Sequence, residues 1–380
     1  MATSFTSLPI IDLSPLRHDD VSSPPSPEAR RLAARFHDVF ATSGFAYLTN
    51  LPLSFSHEDV FALSKQFFSL PAEEKMKLAK RTFVKGNENT YRGYFPIQPL
   101  KAHDNLKEGF ELGSGKVKTK AGGGNTAPSA FNMYEGNVWP SGSAGFPAAS
   151  RRRLTQFYAE LQSLSARLLR LLALSLGEEA ERFDGWLEDS LSTLRLLHYP
   201  PNATSSSAAY DDDSSSISSG ETFSTLGDVS ASSAGDAQGG NGDAAGGEGV
   251  SDDVDVKLSC TPHTDSGILT LLHQDPTGGL EVRNSDGLWV PAPYVPGSVV
   301  ANIGDLMARV SGGRFVATMH RVRAPGASAV HGPSYGRFSV PFFFEPGEEC
   351  VVRTLDGREA VRYGDHVRGK MATWVEFQDV

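Results

Sequence analysis

A chain of 380 residues with only two cysteines, Cys260 and Cys350, is long enough to bury the core of one large domain and too poor in thiols for a disulfide-stapled scaffold. Its formal charge of −10 reflects 35 Lys and Arg against 45 Asp and Glu, but residues 203–253 hold ten of those acids and no base, so the rest balances at 35 to 35. A neutral body gives no reason to expect a nucleic-acid partner; no apolar run reaches the ~18 residues of a membrane span, and the start MATSFTSLPIIDL lacks a signal-peptide pattern. A cytoplasmic, reducing setting is expected, with a monomer as the default.

The first predicted helix covers Ser26 to Ser43, where Leu32, Phe36, Val39 and Phe40 share a face and Gly44 stops it. A strand follows from Phe45 (FAYLTNL). His57 to Phe68 reads as a second helix that ends ahead of Pro71, and Ala72 to Lys75 opens a short third one with carboxylates in its first turn. From about Ala149 to Leu176 a leucine stripe (Leu154, Leu161, Leu164, Leu168, Leu171) predicts a long core-facing helix stopped by Gly177. From Leu191 on, short β-rich runs alternate with Gly and Pro: LRLLHYP, SGILTLLHQ, GLEVRN, LWVPAP, SVVANIG, FVATMHRV and RFSVPFFFEP. That texture predicts a mainly β fold with helices, a jelly roll (double-stranded β-helix) flanked by helices of an N-terminal region. Residues 203–253, with 13 Ser and 9 Gly, cannot offset their ordering entropy and are read as a disordered insertion. The expected organisation is an N-terminal region (5–145), a helix and jelly-roll domain (146–348) interrupted by that insertion, and a C-terminal segment (349–380).

Ten histidines are present, so chance pairings with acids must be expected, and a bare His-x-Asp is seldom a metal site. His263 and Asp265, however, are two residues apart in extended chain and would project to one face. His320, on a predicted strand 55 residues after Asp265, can supply a third ligand. Two imidazoles and one carboxylate on a single face suit non-haem Fe(II) that must keep positions open. His18, His37, His57, His103, His198, His273, His331 and His366 have no partner at a useful spacing and are read as structural or solvated. Arg337 and Ser339 repeat the same-face spacing at the head of an apolar run. The guanidinium can hold either a ligand carboxylate, with help from the Ser339 hydroxyl, or a protein carboxylate such as Asp305; both readings stay open.

Taken together, these residues resemble the iron- and 2-oxoglutarate-dependent oxygenases of the isopenicillin N synthase-like type. The likeness runs through Leu8–Leu13, Gly44–Phe45, Tyr91–Tyr94, Lys107–Glu111, Asn137–Pro140, Leu194–Pro201, His263 and Asp265, Gly279–Val282, Asn302–Asp305, His320–Val322, and Arg337 with Ser339. It implies that His263, Asp265 and His320 ligate Fe(II), that Arg337 and Ser339 hold the distal carboxylate of 2-oxoglutarate, and that the Tyr199 hydroxyl assists. Gly304 and Asp305 are expected to shape a turn leading to the third-ligand strand. The implied reaction consumes O2 and 2-oxoglutarate, releases succinate and CO2, and oxidises, typically hydroxylates, a small organic substrate such as a secondary metabolite. Tyr91, Arg92, Tyr94, Phe110, Phe131 and Phe342 are candidates to line the substrate pocket, with core packing the equal alternative. Two rival functions remain: an iron oxidase that needs no 2-oxoglutarate, against which Arg337 and Ser339 argue, and an inactive jelly-roll binding protein, against which the intact ligand set argues.

Overall fold

In a computed structural model the chain is described over residues 4–18, 21–97, 106–117, 131–142, 145–201, 258–324 and 335–371. The predicted disordered insertion at 203–253 lies outside these residues. Helix α1 spans Pro27–Phe40, α2 His57–Phe68, α3 Ala72–Met76, α4 Ala148–Ser175, α5 Asp305–Val310 and α6 Tyr363–Met371. Local chemistry sets the starts of the first two. The Ser26 side chain accepts from Ala29 N–H with Pro27 at the first helical position, and Ser56 and Asp59 form a reciprocal capping box. Gly44, at φ +67°, lets the chain turn out of α1; a Cβ there would sit 2.2 Å from the Val316 carbonyl oxygen.

The strands are β1 (Ile10–Asp12), β2 (Phe45–Thr49), β3 (Gly93–Phe95), β4 (Glu108–Leu112), β5 (Thr193–Tyr199), β6 (Leu258–His263), β7 (Leu269–Gln274), β8 (Leu280–Arg283), β9 (Trp289–Pro291), β10 (Ser298–Ile303), β11 (His320–Arg323), β12 (Arg337–Phe344), β13 (Val351–Arg353) and β14 (Ala360–Arg362). Eight form one sheet in the order β1-β2-β10-β7-β12-β5-β4-β3, and four form another in the order β6-β11-β8-β9; together they are the two walls of a jelly roll. The strands of residues 5–145 therefore lie in the same sheet as the later ones, β1 and β2 beyond β10 and β4 and β3 beyond β5. The predicted strand over FVATMHRV begins only at His320. Ahead of it the backbone serves α1 instead of a ladder: Val316 N–H donates to Phe40 O, and the Thr318 hydroxyl to Ser43 O.

The period-2 alternation of the large sheet separates two environments. Outward positions Phe338, Val340, Phe342 and Phe344 of β12 join the core under the helices, where Tyr158 of α4 meets Phe342 with ring centroids 5.4 Å apart. The intervening Arg337 and Ser339 face the interior of the roll, as do Thr270, Leu272 and Gln274 of β7 and Asn302 of β10. Among the described residues no helix is long and apolar enough to cross a membrane.

His273, on the outward face of β7, is buried between Phe157 and His57, whose ring lies 5.1 Å away. Burial, reinforced by His57, pulls its pKa down to about 3. The unfolded chain therefore binds a proton near pH 6.5 that the folded chain refuses, so this contribution to stability is full above that pH and is lost as pH falls toward 3. Between pH 7 and pH 5 the native protein should lose about 2 kcal/mol more stability than His273→Phe, as measured by denaturant unfolding at the two pH values.

Candidate metal centre and co-substrate anchor

β6 and β11 pair with His263 directly opposite His320, which brings the two imidazoles to a centroid separation of 4.2 Å. The Nδ1 atoms lie 2.8 Å from Thr261 O and 3.1 Å from Thr318 O respectively. A carbonyl oxygen only accepts, so each Nδ1 carries a proton, and Nε2 is the ring atom left to face the carboxylate. Both Nε2 atoms converge on Asp265 Oδ1, at 3.9 and 3.7 Å. The three donor atoms lie within 4.8 Å of one another, a spacing that fits one metal ion.

Asp265 requires a correction to the one-strand expectation. β6 ends at His263, and Asp265 sits in the loop beyond it, placed by tertiary contacts and not by the pleat. Its Oδ2 accepts from the Thr270 hydroxyl at 2.5 Å and from Asn302 Nδ2 at 2.8 Å, leaving Oδ1 for the imidazoles. Its carbonyl accepts from Asp305 N–H at 2.7 Å. Gly304 lets the two segments close, since a Cβ there would lie 2.3 Å from Gly267 O. Gly304 and Asp305 thus hold the loop that carries Asp265 while opening α5, the helix that lies between β10 and β11.

Asp265 and His320 have the protonation states that a metal ligand needs. Burial opposes ionisation of Asp265, but the two imidazoles and its hydrogen bonds hold its pKa below the usual carboxylate range. Burial and the neighbouring His263 bring His320 down to about 4, leaving it neutral as a ligand must be. His263 goes the other way: against burial, Cys260 and Asp265 raise it to about 9. The Cys260 thiol is itself brought down to about 6, despite burial, by Lys107 Nζ at 3.2 Å and by His263. The His263 side chain, 40% exposed, marks the open side; those of Asp265 and His320 are below 10%. Asn302→Leu should weaken metal affinity about 10- to 100-fold with little change in fold, read by competitive titration of Co(II) or Mn(II).

Arg337 is 1% exposed on the inner face of β12, opposite Tyr199 of β5. Its Nε donates to Gly278 O at 2.6 Å, and its guanidinium carbon lies 4.8 Å over the Tyr199 ring. Nη1 is buried and, among the described residues, has no hydrogen-bond partner. Asp305, the alternative protein partner, is engaged with Lys370 Nζ at 2.8 Å. Ser339 is buried one step further along the same face, opposite Gln274, and Gln274 lies four residues from Thr270 on β7. A buried cation with an orphaned donor, on the face that carries the partners of Asp265, fits a bound carboxylate.

Five of the six candidate pocket residues are buried core residues. Phe110 stacks on Phe67 at 4.1 Å, Phe342 meets Tyr158, Tyr94 donates to Glu108, and the Arg92 guanidinium donates to Leu191 O while covering the Tyr91 ring. Phe131 packs half-buried against the same core. Sequence reasoning missed Thr270, Asn302, Cys260 and Lys107, which surround the ligands; no spacing rule marks a hydroxyl or amide as the support of a distant carboxylate.

Residues 249–346 match the 2OG-Fe(II) oxygenase superfamily, and residues 8–142 match the non-haem dioxygenase N-terminal family described from morphine synthesis. A homoarginine-6-hydroxylase of Oryza sativa subsp. japonica is 28% identical over 98% of this chain and 99% of its own, and a 2-oxoglutarate-dependent dioxygenase of Didymella fabae is 29% identical over 93% and 90%. Among solved structures, a full-length Neurospora crassa protein in complex with alpha-KG has a TM-score of 0.67 at 23% identity, covering 96% of this chain and 95% of that one. The rice dioxygenase for auxin oxidation has a TM-score of 0.59 at 20% identity, over 97% and 96%.

The jelly roll and its His-Asp-His cluster define a non-haem iron protein, and the two family matches in chain order say which: the chain belongs to the iron(II)- and 2-oxoglutarate-dependent oxygenases. It is a 2-oxoglutarate-dependent dioxygenase, with Fe(II), 2-oxoglutarate and O2 as its cofactor, co-substrate and oxidant.

Proposed function

We propose that His263, Asp265 and His320 hold the ferrous ion through Nε2, Oδ1 and Nε2, that Arg337 and Ser339 bind the distal carboxylate of 2-oxoglutarate, and that the substrate is a small organic molecule with a polar end. The observation that carries the co-substrate assignment is the buried, partnerless Nη1 of Arg337 among the described residues. Bound together, iron and 2-oxoglutarate supply the chemistry: R–H, O2 and 2-oxoglutarate give R–OH, succinate and CO2.

The chain's own residues arrange this. Thr261 and Thr318 carbonyls fix the imidazole tautomers, Thr270 and Asn302 fix the carboxylate, and Gly278 O fixes the edge of Arg337. Tyr199 supports the Arg337 guanidinium with its ring face, beside the hydroxyl assistance to the co-substrate expected of it. At the level of Thr270 the inner face continues through Phe343 to Arg195, whose guanidinium lies 5.2 Å from the Phe343 ring and 5.5 Å from that of Phe95. Arg195 and Lys80 both pair with Glu111. This ion-paired group beside the Phe343 and Phe95 rings gives that end of the inner face a mixed polar and apolar character, which supports a substrate with a polar end against an apolar wall. Hydroxylation is supported by the relatives named homoarginine-6-hydroxylases. The free thiols Cys260 and Cys350 and the balanced charge outside 203–253 support a cytoplasmic setting and a small-molecule substrate over nucleic acid.

The test is a panel of carboxylate-bearing small molecules read by succinate formation. His263→Ala should lose metal binding and turnover altogether. Arg337→Ala should keep the metal while raising the 2-oxoglutarate concentration needed for half-maximal rate on the order of a hundredfold. Unchanged 2-oxoglutarate dependence in that variant would remove Arg337 from the site.

A further inference from the structure

We infer that His198 is a positioning residue for Arg337, tying the backbone ahead of that arginine to a buried ion cluster and so setting the affinity for 2-oxoglutarate; the inference rests on the co-substrate reading of Arg337. His198 lies on the outward face of β5, in register with Phe338 of β12 on one side and Glu108 of β4 on the other. Its Nδ1 is 2.7 Å from Glu108 Oε1 and its Nε2 is 2.7 Å from the carbonyl oxygen of Tyr335. The other carboxylate oxygen of Glu108 accepts from Lys75 Nζ at 2.7 Å and from the Tyr94 hydroxyl at 2.6 Å. Burial opposes ionisation of Glu108, but His198 and Lys75 hold its pKa below the usual range, so the carboxylate accepts throughout.

Both ring nitrogens therefore meet acceptors. The doubly protonated ring satisfies both; either neutral tautomer satisfies one. The charged groups facing this ring are Glu108 from β4 and Lys75 from α3, with the Tyr94 hydroxyl from β3; Lys65 of α2 approaches the Tyr335 and Phe338 rings at 5.8 and 6.0 Å. The ring plane is held by stacking on Phe338, centroids 4.7 Å apart and 15° from parallel.

The clamp acts where the chain has little freedom. Gly336 joins Tyr335 to Arg337 at φ +80°, and a Cβ on it would lie 2.2 Å from Tyr199 O. Phe338 N–H donates to Asp275 Oδ2 at 2.6 Å on the far side of Arg337. The backbone of Arg337 is thus held before by His198 and after by Asp275, while its side chain is held by Gly278 O and the ring of Tyr199, the residue next to His198. Without the Nε2 bond the turn at Tyr335 and Gly336 loses its side-chain tie, leaving the β12–β5 pairing that begins at Arg337 and the Asp275 bond to hold this end of the strand. The fork then loses part of its fixed approach to the carboxylate.

The experiment compares the native chain with His198→Phe, which keeps the stack and removes both hydrogen bonds, and His198→Gln, which can restore one donor. Anaerobic calorimetry on Mn(II)-loaded protein should show 2-oxoglutarate binding about tenfold weaker in His198→Phe and intermediate in His198→Gln, with Mn(II) affinity unchanged in both. In metal-free protein, hydrogen exchange should quicken over residues 335–339 and not across the sheet. Binding of 2-oxoglutarate within about twofold of native in folded His198→Phe overturns the inference; if that variant does not fold, the same result in His198→Gln overturns it. Failure of the native, metal-loaded chain to bind 2-oxoglutarate would instead strike the reading of Arg337 itself.

Discussion

The two oxygens of the Asp265 carboxylate do different things, and the geometry of the His-Asp-His cluster depends on that division. Oδ2 is taken by Thr270 and Asn302, from two strands of the large sheet, while Oδ1 faces imidazoles carried by two strands of the small one. This loop carboxylate thereby links the two walls of the roll. A buried carboxylate without such partners would be driven to protonate, and a protonated acid is a poor metal ligand. Held as it is, it stays ionised with one oxygen directed at the position the imidazoles share.

Alternation along the strands of the large sheet does the rest of the sorting. β12 sends four large apolar side chains into the core under the helices and Arg337 and Ser339 into the roll. Burying an arginine that deeply is costly unless its charge and donors are met. Gly278 O and the Tyr199 ring meet part of that need, and the remaining donor is what makes the position suited to receive a carboxylate and not merely a structural cation. The same strand geometry puts polar groups on the outside too: half-buried His198 and buried Glu108 lie between sheet and helices in a network that joins Lys75, Tyr94 and the Tyr335 carbonyl.

Much of this is legible in the sequence. Helices α1, α2 and α4 follow from apolar periodicity, with Ser caps opening α1 and α2 and Gly44, Pro71 and Gly177 closing the three, and β12 from its alternation, because those signals are local and their physics is local. The His-Asp-His cluster is legible because His and Asp are among the few side chains that can bind metal, so their spacing carries information. The candidate pocket residues are not. An aromatic or an arginine has the same sequence signature whether it packs a core or lines a cavity, and Phe110, Phe342 and Arg92 are packing and bridging groups. His198 reads as structural or solvated, yet its two hydrogen bonds span 90 and 137 residues, a separation no local pattern reports.

By itself the sequence determined the secondary structure that rests on short-range periodicity, the neutrality of the chain outside its acidic tract, and which residue types at which positions are chemically suited to metal or carboxylate. Only the tertiary structure decided that Asp265 leaves the strand and is aimed by Thr270 and Asn302, that Tyr199 offers its ring to Arg337, and that the FVATMHRV run is strand only from His320. The physical reason is one of range. Helix caps and strand alternation are settled by neighbours within a few residues, whereas the direction of a buried polar group is settled by whichever distant donor or acceptor the fold brings within hydrogen-bond reach.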